Sequence, residues 1–469
     1  ASVPICLWYF VRWSRNRRNF GRFLIGSAIF ATLVAIFYLE EDWRGKRAWD
    51  KCKAELEAKG AVLDWDKFIP PPVPDDQNVF KAPNMQEWFV RVPFRTPANE
   101  LSGLSTNALN TATITNGTVA ADYLKWSNQF QPQFEKIREA LKCPYARMDG
   151  DYSIPYEIPI PNFIQVRVLA QTLAQRAKCH FFLDQPEQAL DDLTFLNDSR
   201  HLLEAAPTGK PTTLVAAMIN VAVTGLYVDT IAKGLQSHAW QEPQLAALQN
   251  QLADINLTRL VLQAFQEGPA FTCRDVEIMP VNQLLEYGRT PKWTDKVGAW
   301  LWPRGWTYQN MVNIAELELK PLDGFDVSSG TVSPRVFEDA NRYVNKFLKH
   351  SSPYNVLAAI SIPSFNKAWQ ATAHNQTMVN EAQIACALER YRLANGAYPA
   401  SLDALAPQFI EKVPHDIIGG KPLIYRRTVD GKFVLYSVGW NETDDGGQDS
   451  PANQIGAVDY TKGDWVWKN

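Results

Sequence analysis

The sequence predicts a mainly α protein with one N-terminal transmembrane helix, an extracytoplasmic helical domain and a small C-terminal α+β module. Three observations carry this. The run Phe23–Leu39 is apolar and uncharged. Apolar residues recur at three- and four-residue steps from about 163 to 265. Beyond Asn366 a long helical pattern gives way to short strand-like runs separated by Gly and Asn.

Composition narrows the class. In 469 residues, 46% are hydrophobic and 21% charged, which suits a folded aqueous bulk rather than a disordered or many-span chain. A formal net charge of -3, with Lys and Arg interspersed among acids, gives no basic surface for phosphate, so nucleic acid is not an expected partner. Trp is abundant, at 16 residues, and several flank the apolar run, where amphipathic rings favour an interface.

The segment 1–19 is read as a basic cytoplasmic and interfacial stretch, and 20–39 as the span. At about 1.5 Å per residue, Phe23 to Leu39 nearly crosses a hydrocarbon layer of about 30 Å, and Arg22 can snorkel to complete the fit. Arg12, Arg15, Arg17, Arg18 and Arg22 precede the run, whereas Glu40, Glu41 and Asp42 come directly after it. Positive charge is retained on the cytoplasmic side, so the N-terminus is expected there and the bulk beyond the membrane. Trp8, Tyr9 and Trp13 on one side, and Tyr38 and Trp43 on the other, suit interfacial belts. The anchor is thus assigned to Arg17, Arg18, Arg22, Phe23, Leu39 and Trp43, with membrane lipid as partner. Ile36–Glu40 offers no small-residue cleavage site of the signal-peptide kind. The stretch Asn16–Arg22 (NRRNFGR) also resembles a twin-arginine export signal. The apolar run Val3–Val11 is too short to span and suits the interface or a neighbouring membrane helix.

Residues 40–83 read as a stalk helix and then a Pro-rich spacer. Trp49, Cys52 and Leu56 share one side of the helix, and Gly60 ends it. The prolines between 70 and 74 stiffen the next segment, as a spacer or as a loop wrapped on the main domain. Residues 84–365 form the helical extracytoplasmic domain. Its opening, 84–160, is turn-rich, with one helix expected around Tyr123 to Leu141. Val168, Leu169, Leu173 and Ala177, then Ala189, Leu190, Leu193 and Leu196, flank a turn at Asp184-Gln185-Pro186. This pair resembles one tetratricopeptide-type hairpin, without the regular array that family requires. Thr212 to Leu235 is almost wholly apolar and reads as a buried central helix rather than a second span. Trp293, Trp300, Trp302 and Trp306 make a Trp-rich patch that suits either a docking surface or loop packing.

The module 366–469 opens with a helix over Asn375–Leu393 and continues through Asn395-Gly396 into strands near Leu423–Arg427 and Phe433–Val438. The words ALERYRLANGAYPASLDALAPQFI, VPHDIIGGKPLIYRR and GKFVLYSVGWNETDDGG resemble the globular end of type II secretion major pseudopilins, over about 70 residues from Glu381 to Gly447. Pseudopilins join their apolar N-terminal helix directly to this module, whereas here more than 300 residues intervene. Their Asp-Pro-Trp-Gly turn is represented only by Asp416-Ile417-Ile418-Gly419. The resemblance therefore implies the small helix-plus-sheet fold and not filament assembly. It also raises Ca²⁺, which that module often holds in an acidic loop. Asn441, Asp444, Asp445, Asp449 and Asp459 offer the hard oxygens such an ion takes, while the same Asn, Asp and Gly residues are also what turns are made of.

Signatures of catalysis are absent from the sequence. None of the six histidines belongs to H-E-x-x-H or a paired zinc pattern, and there is no G-x-S-x-G, P-loop or strand-linked G-x-G-x-x-G. No C-x-x-C occurs. The expectation is a non-catalytic, membrane-anchored structural or assembly subunit of a larger bacterial complex in the inner (cytoplasmic) membrane, its bulk periplasmic. The alternatives are an anchored periplasmic enzyme or ligand-binding protein, or a secretion or pilus accessory protein.

Overall fold

Helix dominates because the chain's apolar periodicity is helical almost throughout: 65% of it is helix against 6% strand. The structure, a computed structural model, describes residues 8, 13, 16–91, 100–106, 114–204, 209–286, 293–350, 352–362, 365–449 and 458–468. Arg12, Arg15 and most of the interfacial run 3–11 lie outside these. The chain divides into two compact units, Ala1–Ala61 with Asp275–Glu316 and Leu348–Ile362, and Val62–Arg274 with Leu317–Phe347 and Pro363–Asn469.

In the first unit the helix Arg17–Ala58 runs unbroken through both the apolar stretch and the charged one after it. Asn16 caps it by accepting from the Arg18 N–H at 3.0 Å. The charged half is no bare stalk. Glu41, Gly45, Trp49 and Cys52 recur every three to four residues, so they share one face, and that face is buried. Helices Val281–Glu286, Trp293–Trp300 and Val356–Ser361, with the first part of Arg304–Leu319, complete the unit.

The second unit is built on the helix Phe365–Asn395, which begins ten residues before the expected start at Asn375. It packs against Leu214–Gln236 and Glu242–Ala253. At Gly225 the approach is so close that a Cβ would lie 2.7 Å from the Asn375 side-chain oxygen. Trp369 is fully buried and stacks on Phe265 at 5.3 Å between ring centroids, with Phe337 at 4.9 Å. Among the described residues two helices are long and apolar enough to cross a membrane. In Leu214–Gln236 more than half of the apolar window is buried, including Asn220, which accepts from the Arg200 Nε at 2.9 Å. In Arg17–Ala58 none of the window is buried.

Phe163–Phe182 and Pro186–Ser199 form a helical hairpin turning at Asp184, whose φ is +54°. A buried ion pair, Arg176 to Asp192 at 3.0 Å, ties the two helices, and Arg176 also donates to Ser127 and Asn128 at 2.8 Å. The helix expected around 123–141 is two, Gly117–Ser127 and Gln131–Ala140, joined by a tight turn over Asn128–Phe130. The proline segment lies on this unit, because the Arg147 guanidinium donates to the Pro70 carbonyl at 2.9 Å. Of the two readings of 70–74, the wrapped loop is the one found. At the C-terminal end Ile424–Arg427, Phe433–Ser437 and Trp465–Val466 form an antiparallel three-stranded sheet, with Tyr436 opposite both Ile424 and Val466. The third strand is too short for its alternation to be read from sequence.

Candidate membrane-anchoring unit

The helix Arg17–Ala58 carries all six residues assigned to anchoring, Arg17, Arg18, Arg22, Phe23, Leu39 and Trp43. Between Phe20 and Leu39 its large side chains point outward on every side: Phe23, Leu24, Ile29, Phe30, Leu33 and Ile36 are all exposed. Transfer of one such side chain out of water is worth about 1.5–3 kcal/mol, so the stretch as a whole gains roughly 20 kcal/mol from an apolar surrounding.

One turn later the environment inverts. Glu41 is only 4% exposed, and its carboxylate accepts from Arg44 at 2.5 Å, from the Trp306 indole at 3.0 Å and from the Tyr354 hydroxyl at 3.2 Å. Asp42 accepts the Gly305 N–H at 2.7 Å, where the helix Arg304–Leu319 begins and its unpaired amides favour negative charge. The two backbones touch here. A Cβ on Gly45 would lie 2.3 Å from the Gly305 carbonyl, and one on Gly305 would lie 2.0 Å from the Glu41 carbonyl. Aromatic rings close the contact from below: Phe37 meets Trp306 edge-on at 6.4 Å, and Trp306 meets Trp302 at 5.2 Å and Tyr354 at 5.9 Å. The Tyr38 hydroxyl donates to the Leu301 carbonyl at 2.7 Å.

The Trp-rich patch therefore divides. Trp306 packs against the anchor helix and Trp302 packs on Trp306, whereas Trp300 is 83% exposed; the side chain of Trp293 lies outside the described residues. Sequence reasoning missed Glu41 and Asp42 as clamp residues and took them for flanking charge. The four-residue spacing of Glu41, Gly45 and Trp49 was a signal that this face is covered. Nothing in the sequence named the cover, 263 residues away.

The acidic loop is placed by its own hydrogen bonds. Asp444 accepts from the Tyr436 hydroxyl at 3.0 Å and the Gly446 N–H at 2.9 Å. Asn441 donates to Asp445 at 2.9 Å, Asp449 faces Lys468 at 3.6 Å, and Asp459 binds the Thr461 hydroxyl at 2.7 Å and Lys462 at 3.3 Å. The Asp464 carboxylate accepts the Asp445 and Gly447 amides at 3.2 and 2.7 Å. Among the described residues no three Asp, Glu, His or Cys side chains are grouped as a metal ion would need. Ca²⁺ takes about six to eight oxygens around one point, backbone and Asn carbonyls among them.

A cavity of about 150 Å³ in the second unit is lined by His238, Glu389, Tyr398, Lys432, Phe433 and Trp467, among others. That is below the roughly 300–1,000 Å³ of ordinary ligand pockets. Burial pushes the Glu389 carboxyl up, but hydrogen bonds from Arg392 (2.6 and 2.8 Å), His238 (2.9 Å) and Tyr398 (2.8 Å) outweigh it and hold the group below its usual value. A carboxylate saturated in this way braces the cavity wall and has no lone pair left for a substrate proton. The thiols of Cys52, Cys179 and Cys386 are equally unreactive. Burial pushes Cys52 up to about 11 and Cys179 and Cys386 up to about 12, so none holds appreciable thiolate at neutral pH.

Comparison of the chain with models of known families, with characterised proteins and with solved structures finds no match.

Proposed function

We propose that this chain is a single-span, non-catalytic subunit of a larger assembly in the bacterial inner membrane, with its N-terminus cytoplasmic and its bulk periplasmic. One observation carries the reading. A helix exposed around its whole circumference from Phe23 to Ile36 continues, with no break, into a turn that is buried and clamped through Glu41, Asp42 and Gly45. A leader removed after Leu39 would sever a continuous helix directly before its buried hub, which favours an uncleaved anchor. Orientation rests on Arg17, Arg18 and Arg22, since acidic flanks weigh little in topology. Glu41 and Asp42 have structural partners in any case.

The saturated Glu389 and the buried thiols support the non-catalytic part. The helix Phe365–Asn395, leading into the antiparallel sheet, supports reading the C-terminal end as a pseudopilin-like module, used here as a fold and not as a filament subunit.

Membranes holding the full chain provide the test. Alkaline carbonate is expected to leave the protein in the pellet and mild detergent to release it in a stoichiometric high-mass complex. Release by carbonate would remove the span, and purification as a lone monomer would remove the subunit role.

A further inference from the structure

Beside the anchor lies a second apolar surface that the span does not account for. The helix Trp293–Trp300 ends in Trp300, and Val297, Trp300 and Leu301 are 46%, 83% and 47% exposed. Unpartnered apolar residues of this size are uncommon on a water-facing surface when they are contiguous. Their height along the anchor helix is fixed by contacts within the same unit. The Leu301 carbonyl is held by Tyr38, the Trp306 indole by Glu41 and the Gly305 N–H by Asp42. From 301 to 305 the chain thus climbs beside residues 38 to 42, a rise of about 6 Å at 1.5 Å per residue. Leu301 and Trp300 sit at the level of Tyr38, where the apolar run ends.

We infer that Val297–Leu301 is a second membrane contact, lying in the headgroup layer beside the span, with the lipid of the bilayer itself as its partner. The inference rests on the anchor reading. Its chemistry is that of an interfacial element: Trp and aliphatic side chains enter the boundary between headgroups and acyl chains, while exposed Lys296 stays with the phosphates. Trp43, 62% exposed one turn above Tyr38 and carrying the Arg47 guanidinium 5.3 Å from its ring, continues the same belt. The lipid surface is favoured over a protein groove because the patch is continuous with the end of the span, through Tyr38 and through Phe37 against Trp306. Two contacts at one level also fix the rotation of the helix about its own axis, which a lone span leaves free.

The test uses the full chain reconstituted in vesicles of phosphatidylethanolamine and phosphatidylglycerol. A single environment-sensitive fluorophore is placed at W300C, L301C, L33C or K51C, and the unsubstituted protein is carried through the same labelling as background. Lipids bearing a nitroxide at the headgroup or deep in the acyl chain act as quenchers. W300C and L301C are expected to lose roughly twofold of their intensity to the headgroup quencher, L33C to the deep quencher, and K51C to neither. Quenching of L33C with none at W300C and L301C would overturn the second contact and leave the anchor standing. Failure at L33C as well would overturn both. Deep quenching at W300C would replace a headgroup-level contact by insertion and also overturn the inference as stated.

Discussion

Glu41 and Glu318 are both buried carboxylates, and the number of donors each meets sets them apart. Glu41 has Arg44, Trp306 and Tyr354 around it. Burial pushes the Glu318 carboxyl up from 4.5 to about 8, and the Thr272 hydroxyl at 3.1 Å offsets only a little of this. Between those two values the folded protein holds a proton that the unfolded chain has released. The contribution of Glu318 to stability is therefore fully present below about 4.5 and is lost as pH rises to about 8, by up to about 1.4 kcal/mol per pH unit. Glu318→Gln removes this slope. Melting temperatures at pH 5 and pH 8 should differ less in the variant than in the parent; an unchanged difference would mean that Glu318 is ionised in the fold. The sequence showed an acid at this position but not its burial, because burial is decided by the helix that covers it.

At the scale of elements, the crossing of the anchor helix with the start of Arg304–Leu319 depends on two glycines. No side chain fits at Gly305, because what it would meet is the Glu41 backbone carbonyl at 2.0 Å, which cannot swing aside. Gly305→Ala should cost about 1–3 kcal/mol or more and lower the thermal midpoint in detergent. Gly298→Ala, where nothing lies within 4 Å of the added carbon, should be neutral or stabilising by up to about 1 kcal/mol. Equal effects of the two substitutions would show that the crossing is not tight in solution. The elements differ in how far they were legible beforehand. Phe23–Leu39, the hairpin turning at Asp184 and the helix ending near Asn395 announce themselves through local periodicity and turn residues. The strand Trp465–Val466 and the return of 301–306 to the anchor helix do not, because pairing between distant segments leaves no period in either one. The acidic loop had the right residue types for a cation, but its carboxylates satisfy nearby amides, hydroxyls and lysines instead.

For the whole molecule, the proposed single span with Arg17, Arg18 and Arg22 inside makes a topological prediction. In cells with a permeabilised outer membrane, an impermeant maleimide should label K51C and V429C and leave N16C unlabelled until the inner membrane is opened. Labelling of N16C at the outset would reverse the orientation, and protection of V429C would call for a second crossing between the two sites. Among the described residues Leu214–Gln236 is where that crossing would lie, and its burial against Phe163–Phe182 and Phe365–Asn395 argues otherwise. The sequence separates these two helices by the polar residues that break the apolar run of Leu214–Gln236. In the structure the difference lies in what surrounds them.

The unbroken course of Arg17–Ala58 has a mechanical consequence. At about 1.5 Å per residue the helix is roughly 60 Å long, and between Leu39 and Glu41 it contains neither proline nor a register slip that could act as a joint. It is a mast stepped into its own deck: the residues around Glu41, Gly305 and Tyr354 grip it just above the waterline. If the helix spans a bilayer as proposed, a thinner or thicker membrane that tilts it turns the gripped unit through the same angle, and the lever arm multiplies a small change at the membrane into a larger displacement at Ala58.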